Sequence, residues 1–185
     1  FKLAMSALKL AVPEVPKAPE LIPVFTFNLK LASDPASIYV NNESDKTLNL
    51  ATIANGEVKT VPNKLGLELD IHSIYGTDDL NIKNSVSTAS LDCKLYGKTA
   101  NGSGVFIYYP GKVQLDETSI SVFTKKTKEA AIEDSYVTCN PTFYFDDKVE
   151  DKYKWVLKEN FFARGRFGRD EDDVLYVQYY VYVVR

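Results

Sequence analysis

The chain of 185 residues contains one histidine, one tryptophan, one methionine and two cysteines, and these shortages exclude several kinds of site. With His72 as the single histidine, zinc or iron sites built from several histidines are excluded. Cys93 and Cys139 do not form a CxxC pair and cannot hold a metal by themselves. Whether they pair with each other stays open at this stage.

Long apolar runs, basic runs and cofactor motifs are also missing. No apolar run reaches the roughly 18 residues of a transmembrane helix. The 22 basic residues are scattered among 25 acidic ones, and the net charge of −3 disfavours a nucleic-acid surface. GxGxxG, Walker and GxSxG motifs are absent, which disfavours nucleotide, redox and serine-hydrolase chemistry. The sequence therefore predicts no cofactor, no membrane span and no nucleic-acid partner.

The compartment stays open. Two glycosylation sequons, Asn42-Glu43-Ser44 and Asn101-Gly102-Ser103, together with the two cysteines, would permit secretion. Sequons this short arise often by chance, and a cytoplasmic location is favoured over a secreted one.

Proline and period-2 alternation divide the chain into two parts. Four of its eight prolines lie within the first 23 residues, so residues 1–22 are interpreted as an apolar start and an extended, Pro-rich arm. Residues 23–185 form the predicted domain. Its strands are placed at 23–31, 37–41, 47–54, 57–61, 65–75, 86–97, 104–110, 112–123, 135–145 and 174–184.

Turn and helix signals complete this outline. Asn55-Gly56 and Asn101-Gly102 are typical of hairpin turns. A capped amphipathic helix is predicted over 147–160, and one or two helical turns over Thr127–Asp134. Many short strands with one late helix indicate an all-β barrel or sandwich.

The last strand favours a barrel. It carries bulky side chains on both faces, with Tyr180 on one and Tyr179 on the other, so both faces must be covered or one must line a cavity. Tyrosine suits a cavity wall because it offers apolar area and a hydroxyl group. A filled core or a homodimer interface would explain the same tyrosines. We predict a single antiparallel β-barrel in which the late helix covers one end.

Three groups of polar residues could carry chemistry. Asp70 and His72 share one face of a predicted strand, where an acid could orient the imidazole for general-base work. A solvated outer face explains the same alternation. Asp78 follows Tyr75-Gly76-Thr77 and is either a turn residue or a carboxylate at the barrel mouth whose pKa is raised by its neighbour. Arg164, in a predicted Arg164-Gly165-Arg166 turn, could bind an oxyanion or pair with local acids.

Aromatic residues are the candidates for ligand contact. Tyr108 and Tyr109 are consecutive in a strand, so one of them points inward in either register. The predicted substrate-binding residues are Tyr75, Tyr96, Tyr109, Trp155 and Tyr180.

The order of short motifs resembles the DUF3237 family, also called the UPF0311 group. The similarity rests on five stretches: PVFTFNLKL at 23–31, Asn55-Gly56, Tyr75-Gly76-Thr77-Asp78, the paired strands of Leu91–Gly111, and the series Asn140-Pro141-Thr142-Phe143, Tyr153-Lys154-Trp155 and Arg164-Gly165-Arg166. The resemblance covers roughly residues 22–184 and implies a calycin-like, lipocalin-like β-barrel. It implies no defined activity. Some fungal relatives resemble pathway proteins of secondary metabolism, where small barrels serve as isomerases, cyclases or pericyclases.

Three functional hypotheses follow. The first is a cofactor-independent enzyme of the cyclase or isomerase type, a class that includes pericyclases. It would shape an apolar or aromatic, natural-product-like substrate and stabilise developing charge. Its candidate groups are Asp70 and His72 as an acid–base pair, Asp78 as a carboxylate and Arg164 as an oxyanion partner. The second is a non-catalytic carrier of a small hydrophobic ligand. The third is an interaction module that uses its Tyr-rich strand.

Overall fold

The structure, a computed structural model, describes Ala11 and residues 13–185. The predicted apolar start, at residues 1–10 and Val12, lies outside the described residues. Residues 13–20 are exposed and form neither helix nor strand. Ten strands follow: β1 (Leu21–Leu31), β2 (Ala36–Asn41), β3 (Lys46–Thr60), β4 (His72–Lys83), β5 (Thr88–Lys98), β6 (Gly104–Gln114), β7 (Val137–Cys139), β8 (Thr142–Phe145), β9 (Phe161–Arg169) and β10 (Leu175–Val184).

Eight of these strands close into an antiparallel barrel in the order β1-β10-β9-β7-β6-β5-β4-β3, and β3 returns to pair with β1. Strand β2 extends the sheet outside β3, and β8 continues along β6 beyond β7. The predicted fold class is therefore confirmed. Closure gives each of these eight strands two paired neighbours, whereas an open sheet would expose two edge strands.

Strand β3 is the corner of the barrel, and it corrects the hairpin predicted at Asn55-Gly56. Its first half pairs with β4 and its second half pairs with β1, so the strand passes from one neighbour to the other without turning back. A Cβ atom at Gly56 would lie 2.7 Å from the Asn28 carbonyl oxygen. Glycine is therefore needed here for the close approach of two strands, and not for a turn.

The hairpin predicted at Asn101-Gly102 is confirmed: it joins β5 to β6, and Gly102 adopts the left-handed φ of +86°. The strand predicted over 112–123 is wrong in its second half, because β6 ends at Gln114 and helix α1 (Glu117–Phe123) follows. Asp116 caps α1 by accepting a hydrogen bond from the Ser119 backbone nitrogen at 2.9 Å.

The late helix is shorter and tighter than predicted. In place of an α-helix over 147–160 there is a 3₁₀ helix at Asp151–Lys158, and the segment Thr127–Asp134 forms no helix. The predicted Arg164-Gly165-Arg166 turn lies inside β9, paired with β10. The strand predicted over 65–75 begins only at His72, after a single bridge between Ile71 and Val58.

Aromatic side chains fill one end of the barrel. Phe25 packs against Phe143 and Phe161, with ring centroids 5.6 and 5.3 Å apart, and Trp155 of the 3₁₀ helix lies 5.7 Å from Phe161. The Trp155 indole nitrogen donates a hydrogen bond to the Glu68 carbonyl oxygen at 2.7 Å. The 3₁₀ helix therefore covers this end, as the late helix was expected to do.

This packing predicts unequal effects at two neighbouring residues of β8. Phe143 is 2% exposed inside the barrel, whereas Tyr144 is 52% exposed on the outside. We expect Phe143→Ala to lower the free energy of unfolding by about 3–5 kcal/mol, because it removes a buried ring and leaves a cavity. Tyr144→Ala is the matched control and should cost less than about 1.5 kcal/mol. Urea denaturation measures both values, and equal losses would contradict the described orientation of β8.

Candidate functional site

The other end of the barrel is not filled. It encloses a cavity of about 470 Å³. Small side chains on the inner face, such as Ala51 and Ala89, leave this space open. The remaining wall is mostly aliphatic and aromatic, as is typical of pockets for small apolar molecules. Members of this wall include Leu31, Ile53, Leu80, Ile82, Leu91, Val113, Phe167, Leu175 and Val177.

Asp78 is the acidic residue in the deep part of this wall. It lies in β4, where it pairs with Cys93 of β5, and Cys93 pairs in turn with Tyr109 of β6. The three residues therefore form one row across adjacent strands. All three are buried and point into the barrel, with Asp78 6% exposed and Tyr109 1% exposed.

Burial raises the pKa of Asp78 to about 7. Loss of solvation is the main cause, and the negative charges of Asp79 and Asp92 add to it. The Asp92 backbone nitrogen donates a hydrogen bond to Asp78 Oδ1 at 3.1 Å, which opposes the rise. The sequence suggested a turn at Asp78, or a mouth carboxylate raised by its neighbour. The turn is wrong, because Asp78 lies within β4. The raised pKa is found, and burial contributes more to it than the neighbouring charge of Asp79 does.

The backbone at Gly76 explains why the sequence suggested a turn there. Gly76 pairs with Leu95, and a Cβ atom at this position would overlap the Lys94 carbonyl oxygen. The glycine is therefore required by the close approach of β5 to β4. The strand continues through Gly76 and carries Asp78 into the barrel.

Two tyrosines meet beside Asp78. Tyr109 projects from β6 and Tyr179 projects from β10, with ring centroids 6.1 Å apart. Burial raises the pKa of both hydroxyl groups well above the ordinary value. Both groups consequently keep their protons at neutral pH and can act as hydrogen-bond donors.

Further polar groups lie near the same cavity. Asn49 lines it one step closer to the mouth than Ala51, and its Oδ1 atom is buried with no hydrogen-bond partner in the described part of the chain. Cys93 and Cys139 are both free and buried, and burial raises the pKa of both thiols well above the usual range. These thiols are therefore neutral at physiological pH.

Arg169 connects the segments that surround the mouth of the cavity. Its side chain is 1% exposed and forms an ion pair with Asp34 at 2.9 Å. The guanidinium also donates hydrogen bonds to the carbonyl oxygens of Val122, Phe123 and Asp173, at 2.8, 3.1 and 2.9 Å. Arg169 thus ties together the end of α1, the loop after β1 and the loop after β9. Ile120 and Phe123 of α1 form the cavity wall at this point.

Asp70 and His72 lie outside this site, so the expectation that they share a cavity is corrected. Both side chains are exposed. Asp70 Oδ1 accepts a hydrogen bond from the Thr60 backbone nitrogen at 2.9 Å. The His72 ring lies 3.0 Å from the Ser73 hydroxyl and 3.1 Å from the Thr99 carbonyl oxygen. The two residues stand on the outer surface, as simple polar alternation would place them.

The structure places four of the five predicted substrate-binding residues away from the cavity. Tyr75, Tyr96 and Tyr180 are exposed on the outer face, at 58, 44 and 38%. Tyr75 and Tyr96 instead begin an outer row of rings, 5.6 Å apart, that continues through Phe106 to Tyr144. Trp155 covers the filled end of the barrel. Tyr109 lines the cavity.

Arg164 also lies outside the cavity. It is exposed, and its Nη2 donates to the carbonyl oxygens of Glu133 and Ser135 at 3.1 and 3.4 Å. Arg164 therefore does not contact the cavity in which it was expected to bind an oxyanion. The buried arginine is Arg169, five residues further along β9 and on its inner side.

Sequence reasoning missed Asn49, Arg169 and Tyr179 as cavity residues. Alternation in β10 did contain the signal for Tyr179, since its face carries Leu175, Val177, Val181 and Val183 and is the more apolar of the two. Arg169 had no such signal, because an arginine beside the acidic run at 170–173 is typical of a surface loop.

No group of three or more histidine, cysteine, aspartate or glutamate residues is arranged to hold a metal within the residues that the structure describes. The described helices are all too short or too polar to cross a bilayer.

Structural comparisons find several related barrels. A conserved protein of unknown function from Rhodopseudomonas palustris has a TM-score of 0.66 at 19% identity, covering 92% of this chain and 100% of its own. A beta-barrel-like protein from Acinetobacter baumannii has a TM-score of 0.62 at 15% identity, with 94% and 100% coverage. A structure described as an enzyme from Penicillium herquei has a TM-score of 0.55 at 14% identity, with 93% and 99% coverage. Identities this low show a shared fold.

No curated protein sequence matches the chain. The family model described as "Protein of unknown function (DUF3237)" matches residues 19–184, nearly the whole barrel and its flanks. The resemblance noted in the sequence is thereby confirmed, and the chain belongs to the DUF3237 family.

Proposed function

We propose that this protein is a cofactor-independent enzyme of the cyclase or isomerase type that acts on an apolar, natural-product-like molecule inside the barrel cavity. The observation that carries the proposal is Asp78, a carboxyl group in the wall of an apolar cavity whose pKa is raised to about 7. A general acid or base is most effective when its pKa lies near the working pH. Strongly shifted groups in a cleft are also typical of functional sites.

The reaction class follows from what Asp78 can do alone. At neutral pH the carboxyl group is present in both protonation states, so it can give a proton to a bound molecule and take one back. Cyclisations and isomerisations rearrange bonds with no net oxidation and no net consumption of protons. One such group, in a cavity that fixes the conformation of the substrate, suits them.

The shape of the cavity supports a small, mainly apolar substrate. About 470 Å³ lies within the range of pockets for drug-sized ligands. The fold relationship to a structure described as an enzyme agrees with a catalytic role, while a carrier would use the same apolar wall. The buried carboxyl favours catalysis, because a pKa near neutrality suits proton transfer at physiological pH.

The first prediction from the proposed function concerns the stability cost of ionising Asp78. The folded-state pKa of Asp78 lies above its ordinary value of 3.8, so between pH 4 and pH 7 the unfolded chain has lost a proton that the folded protein keeps. The free energy of unfolding should therefore decrease as pH rises across this interval and level off above about pH 7, by on the order of 4 kcal/mol in total. Asp78→Asn should remove most of this decrease and should be more stable than the wild type at pH 8.

Urea unfolding at a series of pH values tests this prediction. Asp79→Asn, a change at the adjacent residue of the same strand, is the matched control and should keep most of the decrease. A wild-type stability that stays level or increases between pH 4 and pH 7, with no difference from Asp78→Asn, would show that Asp78 is ionised in the folded protein.

The second prediction concerns the cavity itself. Ala89 points into the cavity and its neighbour Ser90 lies on the other face of β5. Ala89→Phe should weaken binding of the neutral fluorescent probe Nile red by about tenfold or more, because the new ring occupies the space. Ser90→Phe should leave binding unchanged. Fluorescence titration measures both, and equal affinities would place the ligand elsewhere.

The third prediction separates an enzyme from a carrier. The protein is incubated in deuterated buffer with an organic extract of its source organism, and the extract is followed by liquid chromatography and mass spectrometry. The wild type should change the retention time of at least one compound or introduce deuterium into it, and Asp78→Asn should lower that rate by about 100-fold or more. Compounds that remain bound to the protein but unchanged would indicate a carrier and contradict the proposal.

A further inference from the structure

We propose that Asp78 and Tyr109 form an oxyanion site, in which two neutral proton donors hold a single ligand oxygen, and that the substrates are apolar carbonyl compounds whose carbonyl oxygen gains negative charge during the reaction. This inference rests on the proposed function and names the substrate class of the same cavity.

The row of cross-strand partners supplies the geometry. Asp78 pairs with Cys93, and Cys93 pairs with Tyr109, and the side chains of such neighbours lie about 4.5–5.5 Å apart at Cβ. Because β4 and β6 are separated by one strand of a closed ring, their inward side chains converge toward the barrel axis. Asp78 and Tyr109 accordingly line the same cavity, and both side chains are buried.

Two contacts hold these donors in place. Cys93 lies between Asp78 and Tyr109 as the cross-strand partner of both. The Tyr179 ring packs edge-on against the Tyr109 ring, with centroids 6.1 Å apart. Tyr109 is therefore flanked by Cys93 and Tyr179, and its ring also packs against Phe27, with centroids 6.2 Å apart. A donor fixed in this way needs no rearrangement when charge develops beside it.

The charges around the cavity decide what the donors can hold. Arg169 is the basic residue among the described residues that line the cavity. It lies at the mouth, where it forms an ion pair with Asp34 and donates hydrogen bonds to three carbonyl oxygens. The deep part of the described wall holds no cation, so an anionic oxygen there is stabilised only by the Asp78 and Tyr109 donors. A carbonyl oxygen enters as a neutral group, accepts two hydrogen bonds, and becomes negative only during reaction.

Several titratable groups act on Asp78 from neighbouring strands. Asp79 and Asp92 carry charges on the outer side of β4 and β5, Cys93 and Cys139 face inward from β5 and β7, and Tyr109 and Tyr179 face inward from β6 and β10. All four inward groups have pKa values raised above their ordinary range. Asp78 is accordingly the group of this set that changes charge near neutral pH.

The test uses 2,4-dinitrophenolate, an anion throughout the pH range of the experiment, whose oxygen imitates the charged oxygen of an enolate. It should bind to the protein when Asp78 is protonated and lose affinity by about tenfold per pH unit once pH exceeds about 7, because the ionised carboxylate repels it. Asp78→Asn should retain binding through the amide N–H and lose this pH dependence. Absorbance titration gives the dissociation constants.

Tyr109→Phe is the decisive variant. It should weaken dinitrophenolate binding by about 10- to 100-fold at every pH without moving the pH midpoint, because one hydrogen bond to a charged oxygen is removed. Unchanged binding of Nile red would show that the cavity is intact. Tyr96→Phe, on the outer face, is the matched control and should bind as the wild type does.

The outcomes separate the two proposals. Equal dinitrophenolate affinity in Tyr109→Phe and the wild type, or no binding by the wild type at any pH, overturns the oxyanion site. If Asp78→Asn still abolishes conversion of a compound from the extract, the acid–base function survives that result. If dinitrophenolate binding follows the expected pattern while no compound is converted, the oxyanion site stands and the proposed enzyme fails.

Discussion

Burial of one carboxyl group, Asp78, is the constraint on which this account depends. An ionised carboxylate is costly in an apolar cavity, so the folded protein favours the protonated form until pH approaches 7. The barrel maintains this condition by holding Asp78 on its inner face, where the side chain is 6% exposed among mostly apolar neighbours. Tight strand contacts at Gly76 and Gly56 allow the closure and keep Asp78 on the inner face.

The two ends of the barrel differ in how their interiors are packed. Phe25, Phe143 and Phe161 pack one end into a solid core, and the 3₁₀ helix closes it with Trp155. Small residues keep the other end open, and Arg169 fastens α1 across its mouth. The packed end stabilises the fold, while the open end tolerates a buried acid that destabilises it. Proteins commonly keep a destabilising group at a functional site and compensate for it with favourable packing elsewhere.

The sequence predicted the barrel because it contains many short alternating strands and because the last strand, β10, carries bulky residues on both faces. It failed at Gly56 and at Arg164-Gly165-Arg166, since a glycine that permits close strand contact resembles a glycine that makes a turn.

The residues of the candidate site were harder to predict from the sequence than the fold was. Alternation shows which residues share a face but not which face points inward, so Tyr75, Tyr96 and Tyr180 were predicted as lining residues while Tyr179 was missed. Tyr109 was identified because Tyr108 and Tyr109 cannot both face outward.

The most direct test of the central claim is the ionisation of Asp78 in the folded protein. With ¹³C-labelled aspartate, the carboxyl resonance that disappears in Asp78→Asn identifies Asp78, and its chemical shift can be followed by NMR as pH changes. The account predicts a titration midpoint near 7. A midpoint near 4, the ordinary value for aspartate, would show that the carboxylate is solvated and would contradict the account.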